Sequence, residues 1–108
     1  MIQSDPDIYY DIIESSGYHI IVLGEQGEQW TDEVLDVFER EGLSVDFFSW
    51  ASCVELRLQL EVIYYPITQL WHDGSMKTEF VGYHNESIKD IIELVNLLHL
   101  KGRRDLGE

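Results

Sequence analysis

The stretch Tyr64-Tyr65-Pro66-Ile67-Thr68-Gln69-Leu70-Trp71-His72-Asp73-Gly74 decides the fold, read together with Phe80-Val81-Gly82-Tyr83 downstream. Proline is tolerated at the first residue of a strand but not inside its hydrogen-bonded ladder, so Pro66 marks an entry point. Asp-Gly between two extended runs is a two-residue hairpin signal, because both positions need positive φ. The spacing predicts paired strands over 68–72 and 77–81. Beyond Gly82, the residues Ile88, Ile91, Ile92, Val95 and Leu98 recur at helical spacing and form one apolar stripe. Asn85 or Ser87 is the expected cap of that helix, and Gly102 its expected end.

Working back from this hairpin, Tyr18 to Leu23 is a short, almost wholly apolar run, the pattern of a central strand covered on both faces. Before it, Asp5-Pro6 opens a helix whose Ile8, Tyr9, Ile12 and Ile13 share one face, and Gly17 closes it. After it comes a loop, Gly24-Glu25-Gln26-Gly27-Glu28-Gln29, and then a helix marked by Val34, Leu35, Val37 and Phe38 that ends near Arg40 and Gly42. Asp32 and Glu33 lie in its first turn, where the helix dipole favours acids. Leu43 to Trp50 is a second strand. Val54 to Leu60 is ambiguous, since Glu55, Arg57, Gln59 and Glu61 alternate with apolar residues as in an exposed strand. The class is α/β: a mixed central β-sheet flanked by helices. One domain is expected over 1–104, with 105–108 as a C-terminal tail.

This order of elements resembles the thioredoxin family over nearly the whole chain, most specifically from Val62 to Val95. In that family a proline precedes the penultimate strand in a cis peptide beside the active site. The resemblance therefore implies a cis-proline at Pro66; taken without it, the same residue reads as a trans proline opening an edge strand. It also implies a short helix over Val54 to Leu60. Asp73-Gly74 and Gly82 follow the family pattern.

The departures from the pattern bear on function. Aligned on Pro66 and on the first central strand, the family's two active-site cysteines fall at Glu28 and Thr31. The chain has one cysteine in all, Cys53, and none near that loop. Disulfide exchange needs an attacking thiolate and a resolving thiol, and neither carboxylate nor hydroxyl replaces them. The family's buried aspartate and its neighbouring lysine fall at Val22 and Phe47. A buried charge is expensive and is kept for a reason; with the thiols gone, apolar residues fill the site. The expectation is a redox-inactive member of the family without the CxxC dithiol. The alternative is a thiol oxidoreductase centred on Cys53. That residue has no basic near neighbour in sequence, and Glu55 opposes a thiolate.

Composition narrows the partners. Hydrophobic residues make up 44% of 108 residues, sufficient for one core. Twenty-one acids against seven bases give a formal net charge of −14. Phosphate backbones and anionic membranes would meet a negative surface, so neither nucleic acid nor membrane is an expected partner. A basic segment of a protein or peptide is steered inward, although an acidic surface also serves solubility alone. The absence of a basic-then-apolar leader and of disulfides fits a cytoplasmic location. His19, His72, His84 and His99 show no ligand spacing, so no metal and no cofactor is expected.

Carried over from the family, the walls of a peptide-binding groove are Trp30, Trp50, Tyr65, Pro66 and Tyr83. Glu25, Glu28 and Asp32 would rim it with negative charge. Tryptophan and tyrosine give large contact area at small entropic cost and dominate hot spots. The competing reading puts these aromatics in the core. The functional expectation is a protein- or peptide-binding adaptor or chaperone, with the Cys53 oxidoreductase as the enzymatic alternative. A homodimer through exposed aromatics is a further reading.

Overall fold

The computed structural model describes residues 2–3, 6–49, 58 and 66–107, with side chains described over 7–49, at 58 and over 66–98. Trp50, Cys53, Tyr65 and the Tyr65–Pro66 bond lie outside these residues. So does the ambiguous segment over 54–60, apart from Leu58, which is helical and exposed.

Among the described residues, and apart from helical Leu58, five strands and three helices follow in order: β1 (Ile2–Gln3), α1 (Pro6–Glu14), β2 (Tyr18–Gly24), α2 (Gln29–Arg40), β3 (Val45–Ser49), β4 (Ile67–His72), β5 (Ser75–Val81) and α3 (Asn85–Gly107). The sheet order is β1-β3-β2-β4-β5. β2 is central, parallel to β3 and antiparallel to β4, and β5 runs antiparallel to β4 at the edge. The mixed sheet expected from the sequence is therefore present. β1 was not expected. Two residues paired in parallel with Phe47 and Phe48 are too few to carry a hydrophobic period.

The continuous apolar run of β2 has a simple cause. Successive side chains of a strand point to opposite faces. Ile20 and Val22 join Val34, Phe38, Phe47, Leu70, Ile88, Ile91 and Val95 in the core beneath α2 and α3. Ile21 and Leu23 join Tyr9 and Phe48, with Ile8, Ile12, Ile13, Ile67 and Trp71 packed against them, beneath α1. Both faces are covered, so neither can be polar.

The hairpin turn takes the geometry the sequence calls for. Asp73 and Gly74 have φ of 50° and 81°, the positive pair that matches strand twist in a two-residue loop. Asp73 accepts that strain because it is tied down: its Oδ1 accepts a bond from Gly17 N at 2.7 Å, and its own N–H donates to Gly17 O at 2.9 Å. The turn before β2 and the hairpin are thereby locked together.

Helix α3 departs from expectation at both ends. Its cap is His84, not Asn85 or Ser87. The His84 ring Nδ1 accepts from Ser87 N at 3.2 Å, and His84 O accepts from Ile88 N at 3.0 Å. At the other end the helix runs through Gly102 to Gly107. Glycine costs only about 1 kcal/mol relative to alanine inside a helix.

Candidate functional site

The loop between β2 and α2 ends in a carboxylate that governs the local chemistry. Glu28 is the N-cap of α2, with extended φ and ψ of −77° and 134°. Its Oε1 accepts from Trp30 N at 3.1 Å, and its Oε2 from Thr31 N at 2.8 Å and from the Thr31 hydroxyl at 3.0 Å. The first amides of a helix have no internal partner and carry the positive end of its dipole, so an anion is well placed there. Partial desolvation works against ionisation of Glu28, but the bonds from Thr31 N, Trp30 N and the Thr31 hydroxyl outweigh it and hold the carboxyl below its ordinary 4.5. Gly24-x-x-Gly27 is thus no seat for an external anion, because the helix supplies its own.

A depressed carboxyl stabilises the fold only where it is ionised. The Glu28 contribution is expected in full above about pH 4.5 and to fade as pH falls through the lower folded value. Glu28→Ala should cost about 1 kcal/mol at pH 7, the usual worth of an N-cap. The gap between wild type and variant in denaturant midpoint should then narrow steadily on acidification towards pH 3.

Behind the cap the chain is tightly packed. Thr31 is fully buried. A Cβ placed on Gly24 would lie 2.6 Å from Thr31 Oγ1 and 3.3 Å from Pro66 Cβ, so only glycine fits at the end of β2. Pro66 is itself buried, and it underlies the site without presenting a surface. Its carbonyl accepts from Gly82 N at 2.7 Å, which brings the turn after β5 beside the start of β4. That turn carries Tyr83. The Tyr83 ring lies 6.2 Å from that of Trp30, tilted by 33°. Trp30 keeps 47% of its surface exposed and Tyr83 is half-buried. Trp30 and Tyr83 therefore meet beside the cap of α2, Trp30 exposed and Tyr83 half-buried against the core.

Val22 and Phe47 are direct cross-strand partners, both buried in the core beneath α2 and α3. Cys53 lies outside the described residues, and among those residues no three of His, Cys, Asp and Glu are grouped to hold a metal ion. No described helix is long and apolar enough to cross a membrane.

No protein-family model and no curated protein matches the sequence. Solved structures do match. The chain superposes on the thioredoxin of Malassezia sympodialis with a TM-score of 0.70 and 11% identity, covering 86% of this chain and 87% of that one. The fold is thioredoxin-like. Oxidised mitochondrial thioredoxin 3 of Saccharomyces cerevisiae gives a TM-score of 0.68 at 11% identity over 86% of this chain and 92% of that one. A structure addressing the thiol resolving mechanism in yeast mitochondrial 1-Cys peroxiredoxin via glutathione/thioredoxin systems gives 0.70 at 10% identity, again over 86% and 92%.

Within this thioredoxin-like frame a polar cluster beneath α1 went unread in the sequence. Gln69, in the middle of β4, is only 5% exposed. Its Oε1 accepts from Tyr9 Oη at 2.8 Å and from Trp71 Nε1 at 2.9 Å, and its Nε2 donates to Glu79 at 2.7 Å. Burial pushes the Tyr9 hydroxyl above its usual 10.0, against the pull of the Gln69 bond and helped by the nearby Glu79 charge. The signal was available: Gln69 shares its strand face with Ile67 and Trp71, so an inward glutamine needed partners.

Proposed function

We propose that this chain is a redox-inactive thioredoxin-like protein that holds a protein or peptide segment, as an adaptor or chaperone in a reducing compartment. One observation carries the reading. Beside the helix start where the family keeps its dithiol, a capping carboxylate and a buried threonine stand in place of sulfur, while Trp30 stands exposed against a half-buried Tyr83. The chemistry of exchange has no nucleophile at Glu28 or Thr31. A contiguous pair of large aromatics at the surface suits binding, where such residues supply most of the energy. Trp50 and Tyr65 would complete the walls above the buried Pro66, with Tyr65 offering backbone groups to an extended segment by strand addition.

Affinity capture with the full chain tests this. Trp30→Ala combined with Tyr83→Ala is expected to lose the captured partner, with recovery falling at least about tenfold, the effect of removing one or more interface anchors. Unchanged recovery would remove this face from the function. The purified chain should show no insulin reduction above background. Alkylating Cys53 should leave capture intact, which separates binding from thiol chemistry.

A further inference from the structure

The surface around Trp30 has a charge sign, and that sign selects the partner's chemistry. Glu25, Glu28, Asp32 and Glu33 all fall within the loop and first turns of α2. Arg40 is the sole base of that helix; it lies at the far end of 12 residues, about 15 Å away. There it is paired with Asp36 at 3.2 Å. On the Tyr83 side, Glu86 stands in the first turn of α3, and the His84 ring nitrogen Nδ1 is occupied as the cap. Lys89 is a turn further on. The amides that would greet an anion are already bonded to Glu28. An acidic segment would find repulsion from these carboxylates.

A cation finds the opposite. The Trp30 and Tyr83 rings are tilted by 33°, and nearly half of Trp30 is open to solvent. An exposed indole face attracts a cation through its quadrupole, and the planar guanidinium of arginine stacks there better than a lysine ammonium. Glu28 Oε1 accepts only one described bond, from Trp30 N, and a carboxylate oxygen has room for another.

We propose that the segment held at this face presents an arginine, its guanidinium stacked on Trp30 and its charge matched by Glu28 and the neighbouring acids. This rests on the reading that the Trp30–Tyr83 face binds a protein segment, and the test separates the two. A random seven-residue peptide library displayed on phage is panned against wild type, Trp30→Ala and Glu25→Lys, each checked for native circular dichroism. Wild type is expected to enrich arginine-containing sequences at least threefold over the starting library. Trp30→Ala should recover about tenfold fewer phage, as expected for a hot-spot tryptophan. Replacing arginine by citrulline in the best synthetic peptide should weaken binding about fivefold or more, since citrulline keeps the planar shape and loses the charge. Glu25→Lys and added salt should weaken it too. Enriched sequences without basic residues that still depend on Trp30, or citrulline peptides that bind equally well, overturn the arginine proposal and leave the binding face standing. Equal recovery with Trp30→Ala, or no enrichment at all, overturns both.

Discussion

Gln69→Leu is expected to destabilise the fold by about 2–6 kcal/mol, because a buried donor left without its acceptor costs about 1–3 kcal/mol and two donors are involved. Tyr9 Oη and Trp71 Nε1 both use Gln69 Oε1, and Tyr9 is only 2% exposed. Leucine has nearly the right volume for the site, so the loss is chiefly one of hydrogen bonding, not of packing. A specific rescue follows. Adding Tyr9→Phe to Gln69→Leu removes one stranded hydroxyl and should recover about 1 kcal/mol or more, although Tyr9→Phe alone is destabilising. Urea unfolding of the four proteins at pH 7 reads this directly. If the second substitution merely adds to the first, the network is not what holds these residues. Alkaline titration gives a further check. The Tyr9 hydroxyl is raised above 10.0 by burial, so its contribution is intact below that value and lost as pH rises through the higher folded one.

Gly24→Ala is the second large effect expected, at about 1–3 kcal/mol, the usual range for forcing an extra methyl into a packed site. The new carbon would lie 2.6 Å from Thr31 Oγ1 and 3.0 Å from Thr31 Cγ2. Threonine is stiff at χ1, and this one is fully buried with its hydroxyl committed to Glu28. It cannot step aside without breaking the α2 cap. Thr31→Ala removes both close atoms, so the double variant should be more stable than the sum of the two single losses implies, by about 1 kcal/mol. Simple additivity would mean the chain relaxes elsewhere and the three-way contact of Gly24, Thr31 and Pro66 is loose. This contact also bears on binding, because it anchors the helix turn that carries Trp30. Gly24→Ala should therefore weaken capture by the Trp30 face as well as stability.

Much of the architecture was legible from local pattern. Ile8, Tyr9, Ile12 and Ile13 announced α1, the apolar run of Tyr18 to Leu23 announced β2, and Asp73-Gly74 announced the hairpin. In each case the period of the burial matches the period of the element, and that match is a property of neighbouring residues. Where the pattern misled, the deciding partner was elsewhere. Gly102 looked like a stop but is passed by a helix rich in good formers. Histidine is not among the usual cap residues, and the role of His84 depends on where Ser87 N points. Gln69 looked like an ordinary strand residue because its three partners sit on α1, farther along β4 and on β5.

What the sequence determined by itself is chemical. With one cysteine in the chain and none near Glu28 or Thr31, no fold could restore a dithiol, and 21 acids against seven bases settle the sign of the surface. What only the tertiary structure decided is proximity. Tyr9 meets Gln69 across 60 positions, Trp30 meets Tyr83, and Gly24 is pressed between Thr31 and Pro66. The physical reason is that local periodicity says which face of an element is apolar but not which neighbour covers it. Those meetings depend on β2 pairing with β3 on one side and β4 on the other, a choice made by the whole sheet.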